Sequence, residues 1–459
     1  MIHKLEVSPQ NTFIIIGIIF GLIFIILIPP FQVDDEPIHF YKAYDLSEGH
    51  IIPEREGSEI IFYIPQNMKE TSLNFVAGKY LNKNVKYNLS QTSNLLNLPI
   101  NNNDTVKVKY NLTYPPNPYI AAAFAIDLGK LFGVSSLMLL FLGRLANLLI
   151  WLFFVYLAIR ITPVFKWVFL LLALMPMTIY LAASVSADSF TLAISFLSIA
   201  IFLKYAFDEN KDKINKKEII LLLLLTVVLA LSKQGYFLIS LLFLVIPRNK
   251  FKNNKIRTFA FLLIFLIPLS ISLYWNSLFP GIYLLGKHAS VSGQIAFIHS
   301  KPLYFPYVII NTLNMFLGKY LTRFVGSFLW ESIPLPTFMV YSYLLVLISI
   351  SLLDKTKIKI NMKQKTIFFV IASLIFILTF VYIYLTFTAV GNTYVSGVLG
   401  RYFIPIAPLI FLLLYTSKSC LKIDRISLKL PKNFSWFVIL FIIIFLSATV
   451  SILVSNYVL

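Results

Sequence analysis

The chain has 459 residues, of which 58% are hydrophobic and 13% charged, with a mean hydropathy of +0.80. A soluble globular chain carries about 25% charged residues, so an ordinary cytosolic protein is excluded. The 39 Lys and Arg against 20 Asp and Glu give a net charge of +19, but the basic residues cluster in short polar stretches between apolar runs. That is the signature of positive loops on one side of a membrane, not of a nucleic-acid groove.

The apolar runs are about 17 to 25 residues long, enough to cross a bilayer. The expected fold is therefore an all-α polytopic membrane protein, with residues 1–459 as a single membrane domain. Cys420, the one cysteine, leaves no intramolecular disulfide framework and no cysteine metal site.

In chain order, the run from Phe13 to Ile28 follows Lys4 but has no small-residue cleavage site and ends in Pro29 and Pro30. It reads as a retained first span rather than a signal peptide. Basic stretches at 160–166, 204–217, 248–257, 355–365 and 418–432 mark cytoplasmic loops. With the N-terminus cytoplasmic, spans are expected near 12–30, 136–158, 166–184, 188–205, 258–278, 337–353, 366–387, 402–417 and 434–456.

Residues 218–247 are apolar but have basic loops on both sides, so they must cross an even number of times. Ser232, Lys233, Gln234 and Gly235 interrupt them, predicting a hairpin rather than one long tilted helix with a buried lysine. The total is about eleven crossings with the C-terminus outside. Polar segments 31–135 and 279–336 form the two large outer loops, joined on that face by shorter segments at 184–188 and 388–401. Residues 118–134, with Asp127 and Lys130, predict an amphipathic helix along the outer interface, and 303–321 a second. His39, His50, His288 and His299 all map to the outer face.

Asp34, Asp35 and Glu36 follow the first span directly, with His39 three residues beyond Glu36 and Pro37 suited to the first turn of a helix. A carboxylate shielded there suits a general base; the plainer reading is an acidic helix cap. A second stretch, Gly397 to Pro405, sets Arg401 and Tyr402 beside glycines at the mouth of a span. A forked guanidinium there suits a phosphate, although arginines at helix ends also snorkel.

Arg144, Asp188 and Lys233 are charges at membrane depth, which point to function unless they pair with one another. Asp188 also suits the N-cap of its helix. Arg323 and Glu331 flank Trp330 in the second outer loop, and Tyr114 to Tyr119 form a proline-bound turn. Asn88, Asn103 and Asn111 begin sequon-like triplets of the kind that chance supplies in an asparagine-rich chain. No metal ligand set is assigned: the histidines lack zinc spacing, and a divalent cation, Mg or Mn, has only two of Asp34, Asp35 and Glu36 to bind.

Pro30 Phe31 Gln32 Val33, then Asp35 Glu36 Pro37 with His39 and Lys42 Ala43 Tyr44, resemble the start of the bacterial DUF2142 family of membrane proteins. So do Tyr114 Pro115 Pro116, the stretch from Met175 Pro176 to Asp188 Ser189, and Gly397 to Pro405, in the family's order. That family looks related to the GT-C glycosyltransferases, whose acidic residues follow the first span and whose donors are sugars on polyprenyl phosphates.

The resemblance implies a GT-C-like fold in the cell membrane with an extracytoplasmic site. Asp35 would be the catalytic base, Glu36 and His39 its supports, and Arg401 a ligand of the lipid phosphate, with Lys233, Arg144, Asp188 and Tyr402 around the substrate. The proline that usually precedes the acidic pair is Asp34 here, so the base is Asp34 or Asp35; the Glu36 and Pro37 alignment favours Asp35. The implied partners are a polyprenyl-phosphate-linked sugar donor, a cell-envelope glycan or lipid-linked acceptor and the lipid bilayer, with no nucleic acid. A single displacement would invert the sugar. The alternatives are a transporter or flippase of lipid-linked glycans, which would want charges along a path through the bilayer, and a non-catalytic assembly protein.

Overall fold

The computed structural model describes residues 8–80, 89–96, 98–100, 104–209, 211–283, 286, 288–354, 356–416 and 434–457. Cys420, Asn88, Asn103 and the basic stretch 418–432 lie outside the described residues.

The chain opens with α1 (Pro9–Leu27) and, after a short turn, α2 (Glu36–Ser47). Strands β1 (Glu54–Glu56), β2 (Glu59–Pro65) and β3 (Thr105–Tyr110) form an antiparallel sheet in that order, with Ile61 opposite both Glu54 and Lys109. Between β2 and β3 lie α3 (Gln66–Tyr80) and α4 (Leu89–Leu96). Ile60, Phe62 and Ile64 alternate along β2 and bury one face against Phe31, Phe40 and Met68, while Ile61 is buried on the other. The first loop thus shares a core with α5, α6 and the segments at Val185 and Trp275.

Helix α5 (Ile120–Leu131) buries Ala122, Ala123, Ile126 and Gly129, chiefly against α6 (Ser136–Ile161). Gly129 is required there, since a Cβ would stand 2.4 Å from the Leu139 side chain. Ile120, Phe124, Leu128 and Leu131 lie exposed along the other side, a stripe that suits a lipid interface.

Helix α1 crosses α6 through Gly17 and Gly21, where an added Cβ would meet Leu152 at 2.8 Å and Leu148 at 2.6 Å. Small residues four apart allow this close approach of two helices. The span expected over 166–184 is not continuous. It divides into α7 (Lys166–Ala173) and α8 (Pro176–Ala182), because Pro176 forces Met175 into an extended conformation. Helix α9 (Ala187–Phe207) runs through the centre with 83% of its apolar window buried.

Helix α10 (Lys216–Ala230) starts at a capping box of Asn215 and Glu218. The chain reverses at 231–235, where Gly235 takes a φ of 92°, and returns as the 3₁₀ helix Tyr236–Val245. Lys213 Nζ donates to the Asn249 carbonyl at 2.8 Å, and Ile214 N to the Lys250 carbonyl at 2.8 Å. The two ends of the segment therefore meet, and it is a hairpin.

Next come α11 (Asn254–Ser277), α12 (Val291–Ser300) and α13 (Tyr304–Val325). The two-residue strands β4 (Ser327–Phe328) and β5 (Ile333–Pro334) pair before α14 (Thr337–Leu353). After α15 (Met362–Thr386), a 3₁₀ segment Gly400–Ile406 runs into α16 (Ala407–Leu412), and α17 (Phe434–Tyr457) ends the described chain.

Among the described residues, six helices, α1, α6, α9, α11, α15 and α17, are long and apolar enough to cross a bilayer. Shorter apolar helices cover Tyr236–Val245, Thr337–Leu353 and Gly400–Leu412. The described residues are mostly helical, with two small sheets, as in an all-α membrane protein.

A cysteine pair at Lys213 and Asn249, in a Cys420→Ser background, should be joined by a short bismaleimide. A continuous helix over the same residues would hold the two thiols about 50 Å apart and give no cross-link.

Candidate functional site

The site is built on one buried ion pair. Arg144, in the middle of α6, is fully buried, and all five of its N–H groups have partners within the protein. Nε and Nη2 donate to Glu36 at 2.8 and 2.6 Å. Nη1 donates to the Ile28 and Ile25 carbonyls at 2.8 and 3.2 Å, and Nη2 also to Pro29 O at 3.1 Å. Glu36 in turn accepts from Phe31 N and Val185 N, each at 3.1 Å.

Arg144 thus caps the open carbonyls at the end of α1 while holding the first residue of α2. It belongs to the scaffold and does not reach the residues expected around a substrate. Glu36 supports Asp35 by fixing the turn that carries it.

With Glu36 held, Asp34 and Asp35 emerge on the other side of the turn. Asp34 Oδ2 accepts from Arg401 Nη1 at 2.7 Å, and Asp34 Oδ1 from the Trp330 backbone N–H at 2.7 Å. Arg401 Nε lies 3.4 Å from Asp188 Oδ2, an ion pair without hydrogen-bond alignment. Asp188 Oδ1 accepts from Lys233 Nζ at 2.7 Å. Lys233 also stands over the Tyr402 ring at 4.4 Å and the Tyr114 ring at 5.5 Å. Asp34, Arg401, Asp188 and Lys233 form one continuous cluster.

Asp35 borders this cluster, its Oδ2 4.0 Å from Arg401 Nη2. Its side chain is 35% exposed, against 11% for Asp34 and 18% for Asp188. Its backbone is left-handed, with a φ of 63°, a sparsely populated conformation that aspartate tolerates better than most residues. Burial raises the Asp35 carboxyl above its ordinary range, with Arg401 drawing it down and Asp34 and Asp188 pushing it up. Of the two candidate bases, Asp34 is engaged by two donors and Asp35 is the more accessible.

His39 lies one turn along α2, where its N–H donates to the Asp35 carbonyl at 3.2 Å. Its Nδ1 is 2.7 Å from the Tyr119 hydroxyl, and the ring stacks on Tyr114 and Tyr119. Burial lowers the imidazole from its ordinary 6.5 to about 3, so it is neutral at physiological pH. His39 therefore stands outside the charge cluster and forms part of its wall. Asp188 is not a helix cap; Ser186 caps α9 by accepting from Asp188 N at 3.1 Å, leaving the Asp188 carboxylate for Lys233.

Trp330 has no counterpart in the sequence-derived site. Its backbone N–H serves Asp34 because Leu329, Trp330 and Glu331 all take positive φ, 52°, 48° and 68°, at the tip of the β4–β5 hairpin. Consecutive left-handed residues cost roughly 1–2 kcal/mol each, so the tip must be held from outside. Tyr180 accepts from Leu329 N at 3.1 Å while its hydroxyl donates to Gln32 O at 3.2 Å. Arg323 pairs with Glu331 and donates to Val398 O at 2.9 Å. The signal available in the sequence was only the proximity of Arg323, Trp330 and Glu331.

Among the described residues, no group of three or more His, Cys, Asp or Glu is placed to hold a metal ion. Asp34 and Asp188 already neutralise Arg401 and Lys233, so the acids gathered here do not suit a divalent cation.

An apolar groove of about 840 Å³ runs between α13, α14, α15 and the segment after Gly400, lined by residues such as Phe305, Leu313, Phe324, Phe376, Phe403 and Ile406. Gly400 lets this segment lie against α13, for a Cβ would fall 2.0 Å from Tyr320 O. The groove's wall is thus continuous with the residue that bears Arg401.

The family described as predicted membrane protein (DUF2142) matches residues 18–410. The chain belongs to this family. No curated protein and no solved structure matches it.

Glu36→Gln should destabilise the protein by about 3–5 kcal/mol, because it leaves a buried guanidinium uncompensated. An unfolding titration in detergent micelles that shows a loss under about 1 kcal/mol would remove the pair from its structural role. His39 should make stability pH-dependent. Unfolded, it binds a proton below its ordinary 6.5; folded, it binds none until about 3. Stability is therefore lost as pH falls through that window, by about 2 kcal/mol at pH 5. Between pH 7.5 and pH 5, wild type should lose that much more than His39→Gln, and equal losses would contradict the assignment.

Proposed function

We propose that this member of the DUF2142 family is an outward-facing membrane glycosyltransferase. It moves a sugar from a polyprenyl-phosphate-linked donor to a cell-envelope glycan or a lipid-linked acceptor. The observation that carries the reading is the placing of Asp35, accessible and raised by burial, 4.0 Å from a buried arginine. In this reading the N-terminus is cytoplasmic, the chain crosses the membrane about eleven times in a GT-C-like arrangement, and the cluster faces outward.

Asp35 takes the proton of the acceptor hydroxyl as its oxygen attacks the anomeric carbon. The bond from that carbon to the phosphate oxygen breaks, and the phosphate leaves with the electron pair. Arg401 Nη2, which faces Asp35, stabilises the departing charge. Inversion follows from a single displacement.

The apolar groove beside Gly400 and Phe403 suits the polyprenyl chain, with its phosphate near Arg401. Tyr402 orients Lys233 from below its ammonium.

In membrane vesicles, Asp35→Asn should lower consumption of the lipid-linked donor by about 10²- to 10⁴-fold, the usual contribution of a general base. Full transfer by a normally inserted Asp35→Asn protein would overturn the assignment. Movement of the lipid-linked glycan across the membrane without bond formation would put the transporter reading in its place.

A further inference from the structure

Beside the charge cluster lies a second cavity, of about 320 Å³, between the α10 hairpin tip, the ends of α11 and α15, and Tyr114. We infer that this cavity binds one neutral pyranose ring, an inference that rests on the glycosyltransferase reading and names where a sugar sits.

The lining decides the chemistry. Tyr114, Tyr236, Tyr382 and Tyr402 supply aromatic surface on several sides, which suits the C–H faces of a sugar. Gln234 donates to Asn276, so the pair leaves one whole amide carbonyl and three amide N–H donors for a ligand. Exchanging N and O in both amides leaves the same set. A free acceptor beside free donors suits a vicinal pair of hydroxyls.

Charge argues against an anion. Among the described residues, Lys233 is the one ionisable cation of the lining and is already paired with Asp188 at 2.7 Å. No carboxylate among the described residues lines the cavity. A neutral polyhydroxyl ligand therefore fits better than free phosphate or an acidic sugar. Its volume is at the low end of small-molecule sites, about 300–1,000 Å³, so it takes one ring and not an oligosaccharide. Lys233 and Tyr402 belong to both the cavity and the cluster, and Tyr402 adjoins Arg401 in the chain. A ring seated here lies beside the reacting groups, away from the apolar groove.

The test uses the full chain in lipid nanodiscs with saturation-transfer NMR. The probes are methyl pyranosides of neutral hexoses, 6-deoxyhexoses and 2-acetamido sugars, with inorganic phosphate and a methyl uronide as charged controls. At least one neutral pyranoside should receive saturation, with binding weakened roughly tenfold or lost in Tyr382→Ala and in Gln234→Leu. The same binding should persist in Asp35→Asn and resist phosphate. Gln234→Leu changes a hairpin-tip side chain and keeps the test valid if Tyr382→Ala fails to fold. Competition by a short-chain polyprenyl-phosphate sugar assigns the ring to the donor, and competition by a free envelope oligosaccharide alone assigns it to the acceptor.

Binding of no neutral pyranoside, equal binding by both variants, or preferential binding of phosphate or the uronide overturns the inference. Asp35-dependent transfer without pyranoside binding would sink the cavity and leave the enzyme standing. Pyranoside binding without any transfer would do the reverse.

Discussion

Glu36 and Arg144 form the interaction on which the rest depends. A lone arginine in the middle of a membrane helix is costly, and a buried ion pair offsets its desolvation only when every donor and acceptor is satisfied. Here that condition is met by drawing in three carbonyls from the end of α1 and two backbone N–H groups from distant segments. Satisfying the charge joins α1, α2, α6 and the start of α9. The turn between α1 and α2 then has one arrangement, and it turns Asp34 and Asp35 toward Arg401.

From that turn outward, each functional group is held by a neighbour that is itself held. Asp34 binds Arg401 and the strained hairpin tip; Tyr180 supports the tip from below. Asp188 divides its oxygens between Arg401 and Lys233. Asp35 is the carboxylate with the most freedom, and it stands where a substrate can reach it. The apolar groove and the tyrosine-lined cavity adjoin the same segment around Gly400 to Phe403, one offering hydrocarbon contacts and the other hydrogen bonds. The lipid-linked donor proposed above would need both.

Much of the scaffold was legible in the sequence. Membrane-length helices such as α6, α9 and α15 follow from apolar length, and the hairpin from basic loops on both sides of an interrupted apolar run. The break between α7 and α8 was not anticipated because Met175 and Pro176 lie in an otherwise unbroken apolar stretch. The acidic triplet after the first span was visible, but its division of labour was not. Glu36 pairs across 108 positions and Asp34 across 367, and no local pattern encodes such contacts. The donor on Trp330 is a backbone N–H, which carries no residue signature. The tyrosines of the second cavity come from four separate segments and look like ordinary interfacial aromatics until the fold gathers them.

The most direct measurement compares envelope glycans from a deletion strain complemented with wild type or with Asp35→Asn. Loss of one sugar on deletion, restored by wild type and not by a normally inserted Asp35→Asn protein, is the result this account predicts; the missing sugar would identify the donor. Equal restoration by both proteins would contradict the account and move the function to transport or assembly.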